Sequence, residues 1–300
     1  MRFLLSLIAG FLSWRGNGAD ILIFGIFHMN DVIDIAAVER IDENISLWAE
    51  MRERAREMAQ SEPVLAAALA ASVLCRPNFA SAMSARIARK LASTEEEYSA
   101  LESLSLEAFA GDPKIAVFCQ NDIRAVRDRD PACESVLMPF LWFKGFLALS
   151  AHRVAHYFWE HSRRDVAHFI QSMTSEKLAV DIHPAAKFGC GILLDHATGF
   201  VAGETAVVEN NVSILHAVTL GGTGKTRGDR HPKVRSGVLI GAGAKILGNI
   251  EIGLCAKVGA GSVVLEDVPA HATVAGVPAK IVGEATEAEP CLDMNHRLPC

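Results

Sequence analysis

The stretch VRSGVLIGAGAKILGNIEIGLCAKVGAGSVV, residues 234–264, returns to an aliphatic side chain at every sixth position: Val234, Ile240, Ile246, Ile252, Val258 and Val264. Gly241, Gly253 and Gly259 each follow one of these residues, and Ala244, Ala256 and Ser262 each stand four positions after one. A helix repeats near 3.6 and a half-buried strand at 2, so neither produces this pattern. A left-handed parallel β-helix does. Three hexapeptides make one triangular coil, and the recurring aliphatic residue stacks inside it. A second set at the same spacing lies upstream: Ile182, Phe188, Leu194, Phe200, Ala206, Val212 and Val218. A glycine-rich β-sandwich would alternate by two instead. The β-helix is therefore placed at residues 180–283, with room for about five coils.

The gap between the two sets, Val218 to Val234, is one hexapeptide plus ten residues. It predicts a loop over 221–236 thrown out from the coil. Lys225, Arg227, Arg230, Lys233 and Arg235 stand there against the single acid Asp229, which makes a local anion attractor. Insertions in solenoids tend to lie on the binding face. The run from Gly221 to Thr226 looks like a phosphate loop. That pattern needs glycine where Thr219 stands and a helix afterwards, so nucleotide hydrolysis is excluded. Backbone amides of such glycines can still meet a phosphate or a thioester oxygen.

Upstream of the repeats the pattern is helical, giving an α+β chain with an all-α domain at 29–179 before the β-helix. Ile41, Ile45, Trp48 and Met51 form an apolar stripe, Pro63 to Leu74 reads as a buried helix, and Met138 to Trp159 as a long apolar one. Residues 1–28 mimic a short signal peptide but lack a good cleavage site, and are read as an extension outside the fold. Residues 284–300 read as a flexible tail. Of the 300 residues, half are hydrophobic and 21% charged, which excludes global disorder. A net charge of −6 gives no nucleic-acid footprint, and no apolar run is long enough for a membrane span. Seven scattered cysteines without a Cys-x-x-Cys pair suggest neither a disulfide framework nor structural zinc, and point to the cytoplasm. His152 and His156 have metal spacing, but Arg153 stands where a His-Glu-x-x-His site needs glutamate, so both read as core or interface residues.

Three strings carry chemistry: Asp181-Ile182-His183-Pro184, Asp195-His196-Ala197-Thr198-Gly199 and Gly228-Asp229-Arg230-His231-Pro232. Together with Arg129-Asp130-Pro131 and Ala275-Gly276-Val277-Pro278-Ala279, they closely resemble the serine O-acetyltransferase family over residues 41–283. The resemblance implies transfer of acetyl from acetyl-CoA to the L-serine hydroxyl, with no metal, in the first step of cysteine synthesis. It implies His196 as general base and Asp181 as the carboxylate that orients it. It also implies Arg230 for the substrate carboxylate, Asp130 and Asp195 for its ammonium, and His231 in the substrate site. Coenzyme A is expected against Gly222, Thr223, Ala242, Lys257 and Ala260, in a groove between neighbouring β-helices of a homotrimer or dimer of trimers. Feedback inhibition by L-cysteine is a further implication. The resemblance also implies O-acetylserine sulfhydrylase as a partner, since many family members dock a terminal isoleucine into it; here the sequence reads Leu298-Pro299-Cys300, which departs from that pattern and puts the docking in doubt.

Spacing alone leaves other readings open. Asp181 and His196 are fifteen residues apart where a regular coil has eighteen, so contact needs an irregular first coil or a different partner. His196 is otherwise a surface histidine on a β-helix face, Asp130 a turn residue before Pro131, and Arg230 a solvated loop charge. An acceptor other than serine keeps the same fold and base. A β-helix zinc enzyme needs a close histidine pair, which the spacings among His183, His196, His216 and His231 do not supply. A non-enzymatic scaffold is the third class.

Overall fold

A computed structural model describes residues 35–224 and 227–298, with side chains from Leu47 onward. Residues 1–28, the side chains of Ile41 and Ile45, Lys225 and the last two residues of the chain lie outside the described residues. The chain divides into residues 1–41 and the compact unit Asp42–Cys300. Helices run α1 (Ile35–Ser61), α2 (Ala66–Leu69), α3 (Phe79–Leu91), α4 (Glu95–Gly111), α5 (Lys114–Arg129), α6 (Leu137–Trp142), α7 (Lys144–Glu160) and α8 (Arg164–Leu178). Local chemistry sets their ends. The Asn78 side chain accepts from Ser81 N–H at the start of α3, and Thr94 accepts from Glu97 N–H at the start of α4. The run Glu95-Glu96-Glu97 is the first turn of α4, where acids favour the helix dipole.

The β-helix has five coils. The first is β1 (Val180–Ile182), β2 (Lys187–Phe188) and β3 (Leu193–Leu194). The second is β4 (Phe200–Ala202), β5 (Val207–Val208) and β6 (Ser213–Ile214), and the third is β7 (Thr219–Gly221), β8 (Lys233–Val234) and β9 (Leu239–Ile240). The fourth is β10 (Lys245–Leu247), β11 (Glu251–Ile252) and β12 (Lys257–Val258). The fifth has β13 (Val263–Val264), a parallel bridge from Val268 to Ile252, and β14 (Ala272–Gly276), which β15 (Ala279–Glu284) closes in antiparallel fashion. The first strands of the coils pair in parallel as face A, the second as face B and the third as face C.

The register corrects the repeat count in one respect. Val180 pairs with Phe200 and Leu193 with Ser213, so the first coil has twenty residues, while Lys245 pairs with Val263 eighteen later. The two extra residues fall between β3 and β4, at Asp195 to Gly199. The inward ladder on face A is therefore Ile182, Ala202, Leu220, Ile246 and Val264, all buried. Phe200, Ala206, Val212 and Val218 keep the period of six but occupy the other inward position, two residues earlier. Alternate strand residues share a face, so both positions are buried and the slip is invisible in hydropathy. Counted along the true ladder, Leu220 to Val234 is one hexapeptide plus eight residues. The loop proper lies between Gly221 and Lys233, shorter than the expected 221–236.

The helical half docks on the first coil through α5 and α7 against β3 and α8 against β1. A buried ion pair fastens this junction. Arg153 Nη2 donates to Asp122 Oδ2 at 2.6 Å and to the Gly189 carbonyl at 2.7 Å, and Asp122 Oδ1 accepts from Ile192 N–H at 2.9 Å. Of the two histidines at metal spacing, His152 is buried next to Arg153, while His156 is half-buried with Nδ1 2.7 Å from the Pro184 carbonyl.

The expectation of a free tail after 283 is corrected for the described residues. Residues 285–298 return along face C, with the short helix α9 (Pro290–Asp293). Ser213 Oγ donates to the Cys291 carbonyl at 2.8 Å, and Lys257 Nζ to the Arg297 carbonyl at 2.6 Å. Cys291 is fully buried. The physical reason is satisfaction of polar groups: the buried Ser213 and Lys257 on face C need acceptors, and the tail backbone supplies them.

Candidate active site

His196 sits on the corner between faces C and A, inside the two-residue insertion. His196 and Ala197 both have positive φ, +55° and +58°, a conformation that costs energy for residues with a Cβ. Thr198 N–H to His196 O at 2.8 Å and Ala217 N–H to Thr198 O at 2.8 Å hold the corner. The helical half braces it from outside. A Cβ at Gly145, in the first turn of α7, would stand 1.9 Å from the Leu194 carbonyl, so only glycine lets the helix come this close. Lys144 Nζ also reaches Thr198 Oγ1. The result is a bulge that lifts the imidazole into solvent, with its side chain 74% exposed.

Asp195 lies beside it, Oδ2 3.6 Å from His196 Nε2. Burial pushes the Asp195 carboxyl up, His196 opposes that, and Asp130 adds to it. Asp130 caps the end of α5, and its Oδ1 accepts from Ala132 N–H at 2.9 Å, an Asx turn before Pro131. It is thus a turn residue and a neighbour of Asp195 at once. The His216 ring stands edge-on to His196 at 5.9 Å between centroids. His216 was missed by reasoning from eighteen-residue coils; a twenty-residue coil places it directly above His196.

A second group occupies the corner between faces A and B. Arg230 Nη2 pairs with Glu204 Oε2 at 2.7 Å, and its Nη1 donates to the Gly228 carbonyl. His231 is buried, its Nδ1 3.2 Å from the donating Thr205 N–H and 2.9 Å from Thr205 Oγ1. With Nδ1 accepting, the proton belongs on Nε2. Burial, then Arg230, holds this imidazole below its ordinary pKa. A Cβ at Gly203 would stand 2.0 Å from His231 Nε2, so the glycine makes the seat for the ring. Thr205 Oγ1 also accepts from the Arg230 and His231 backbone N–H groups. Glu204 and Thr205 escaped notice because they carry no motif, although they lie on the coil below the Asp-Arg-His-Pro string.

Asp181 is not brought to His196. It lies within β1, on face A, and its Oδ1 accepts from Gln171 Nε2 in α8 at 2.7 Å. The expected coenzyme residues divide as well. Gly222 and Thr223 border the A/B corner, Gly222 facing Arg230 and His231. Ala242 and Ala260 lie on the C/A corner, where Gly261 N–H donates to the Ala242 carbonyl at 2.8 Å. Lys257 lies in β12 on face C, beneath the tail, with Nζ 3.9 Å from Glu287 Oε2. In this arrangement it is covered, not open to a ligand. Among the described residues no group of three His, Cys, Asp or Glu is placed to hold a metal ion, and no helix is long and apolar enough to cross a membrane.

Five hexapeptide coils, an imidazole lifted on a strained corner and a guanidinium–imidazole pair on the next edge place the chain among the β-helix acyltransferases. Residues 47–151 match the family model described as serine acetyltransferase, N-terminal. The chain is 54% identical to the serine acetyltransferase of Salmonella typhimurium and 53% to that of Escherichia coli, each over 84% of this chain and 92% of the relative. A solved serine acetyltransferase in complex with cysteine superposes with a TM-score of 0.83 at 51% identity, covering 85% of this chain and 99% of that one. The Brucella abortus serine acetyltransferase in complex with coenzyme A gives a TM-score of 0.78 at 51% identity, covering 80% and 96%. The chain belongs to the serine acetyltransferase family.

Proposed function

We propose that the protein transfers acetyl from acetyl-CoA to the hydroxyl of L-serine, giving O-acetyl-L-serine and coenzyme A. The observation that carries the reading is the raised His196 corner, an exposed imidazole beside a carboxylate and an open edge. A serine hydroxyl is a weak nucleophile at neutral pH and needs a base in contact during attack. His196 takes the hydroxyl proton as Oγ attacks the thioester carbonyl carbon. The tetrahedral intermediate then collapses, and the proton passes to the departing thiolate of coenzyme A. Such a base contributes roughly 10²–10⁴-fold, and positioning of two bound substrates supplies much of the rest.

Asp195, beside His196, and Asp130, which acts on the Asp195 carboxyl, suit an ammonium group. Arg230 suits a carboxylate through its planar fork, once that fork exchanges Glu204 for the substrate. We assign the orienting role to Asp181 on the family match, supplied by a neighbouring copy as Arg230 and His231 are, since within one chain Asp181 is bonded to Gln171 and does not meet His196. His196 and Arg230 stand on two different corners of one column. We therefore infer that each site is completed by a neighbouring copy in a homotrimer, His196 from one chain facing Arg230 and His231 of the next, with coenzyme A along the groove between them. Pairing of trimers into a hexamer extends this assembly. L-cysteine, which differs from serine in one atom, would compete at the same site and act as feedback inhibitor of cysteine synthesis in the cytoplasm.

The test is thiol release from acetyl-CoA with a panel of hydroxyl acceptors. L-serine should give the highest kcat/KM; a sugar or antibiotic preferred over serine would replace the acceptor, and no release with any of them would remove the activity.

A further inference from the structure

Thr205 lies in the turn between β4 and β5, and the long loop comes back to the column against it. Arg230 and His231 belong to no strand, so no ladder fixes their backbone. One hydroxyl does so instead. Thr205 Oγ1 accepts the Arg230 N–H at 3.0 Å and the His231 N–H at 3.1 Å. The Thr205 carbonyl accepts Lys233 Nζ at 2.9 Å, and the same ammonium donates to the His231 carbonyl at 2.7 Å and pairs with Asp229 Oδ1 at 2.6 Å. The two residues that suit a substrate carboxylate therefore take their place from a single residue of the coil below.

Thr205 also sets the imidazole. Its N–H, which can only donate, reaches His231 Nδ1 at 3.2 Å. A hydroxyl oxygen has two lone pairs, and both are taken by the Arg230 and His231 N–H groups, so its hydrogen is left to donate to the same Nδ1 at 2.9 Å. Two donors on Nδ1 put the ring proton on Nε2. That nitrogen stands over glycines: a Cβ would lie 2.0 Å from it at Gly203 and 3.6 Å at Gly222. Gly222 borders Arg230 as well, where the same Cβ would stand 3.7 Å from Arg230 Cγ. The N–H donor and the base of the guanidinium arm thus flank one small backbone position on the A/B corner.

We propose that Thr205 is the positioning residue for the acceptor's carboxylate: through two backbone amides and one ring nitrogen it aims the Arg230 fork and the His231 Nε2–H together, and so sets the preference for an amino acid over an alcohol without a carboxylate. The inference rests on the serine reading above, and Thr205 itself touches no reacting atom. Thr205→Val removes the hydroxyl and keeps the branched shape, while Thr205→Ser keeps the hydroxyl. In the thiol-release assay Thr205→Val should raise the KM for L-serine about tenfold, the loss that about one hydrogen bond supplies. Its kcat should stay within about twofold and its KM for acetyl-CoA should not move, the signature of lost acceptor binding. The preference for L-serine over L-serinamide, which has an amide in place of the carboxylate, should fall by the same factor. Thr205→Ser should restore both to within about twofold of the unsubstituted protein. Nitrogen NMR of the unsubstituted protein labelled in histidine, with His231→Gln identifying the ring, should show Nδ1 bare and Nε2 protonated near neutral pH. A Thr205→Ser protein as impaired as Thr205→Val, a fall in kcat alone, an unchanged preference for serine over serinamide, or a proton on Nδ1 would each overturn the proposal. The ring proton is read without any acceptor and without Thr205→Val having to fold. Failure of the serine reading, seen as no thiol release with L-serine by the unsubstituted protein, therefore stays distinct from failure of this one.

Discussion

Replacing Asp122 by alanine should loosen the catalytic coil from its helical support. The carboxylate receives Arg153 Nη2 at 2.6 Å and Nε at 3.2 Å, and the two side chains are 1% and 5% exposed. Removing it leaves a guanidinium buried with only the Phe188 and Gly189 carbonyls to hold it. Breaking one partner of a buried pair costs about 3–5 kcal/mol, because the surviving charge is uncompensated. The Ile192 N–H loses its acceptor as well, which puts the loss toward the upper end. For a domain of this size each kcal/mol moves Tm by about 2–4 °C, so a fall of about 10 °C or more is expected. Thermal unfolding followed by circular dichroism, at fixed protein concentration, reads it. The double variant Asp122→Ala with Arg153→Met should recover much of the loss, since no charge then stays buried. A fall below 3 °C for the single variant, or a double variant worse than the two singles combined, would refute this account of the junction.

His196→Ala should lower kcat by about 10²–10⁴-fold with acetyl-CoA binding retained, as measured by stopped-assay kinetics and calorimetry; unchanged turnover would remove the assigned base. The two carboxylates can be told apart by their kinetic signatures. Asp181→Asn should lower kcat at nearly constant KM for serine, whereas Asp195→Asn should mainly raise that KM; the reverse pattern would exchange their roles. Stability should also fall with acid. His152 and His231 have pKa values below 6.5 in the folded state, so the unfolded chain binds more protons as pH drops below about 6.5. Their contribution is complete above that pH and is lost on the acid side. Urea midpoints between pH 7.5 and 5.5 should therefore decrease, less steeply for His152→Phe; an identical slope in that variant would contradict the assignment.

The sequence made the β-helix legible because one aliphatic residue per hexapeptide must point inward, and nothing else repeats at six. It concealed the two-residue slip for the same reason. Phe200 and Val218 are as buried as Ala202 and Leu220, so hydropathy cannot say which inward position a residue holds. The slip matters, since it builds the His196 corner and stacks His216 on it. The corner motifs located His196, Arg230 and His231, while Glu204 and Thr205 emerged only from contacts between coils. The proximity of Asp130 to Asp195 joins distant parts of the chain, and no local pattern encodes it. The docked tail was hidden by its polar composition. What holds it is Ser213 and Lys257 donating to its carbonyls, together with one buried thiol, Cys291, rather than a periodic apolar stripe.

The reading depends most on a site shared between copies, because the base and the guanidinium lie on separate edges of a single column. Two inactive proteins test this directly: one carrying His196→Ala, the other Arg230→Ala with His231→Ala. After both are unfolded together and refolded as a 1:1 mixture, a random trimer pairs an intact His196 corner with an intact Arg230 corner at about one interface in four. Activity should return to about a quarter of the unmutated level. No recovery beyond the sum of the two separate proteins, with mixed trimers present, would contradict the account.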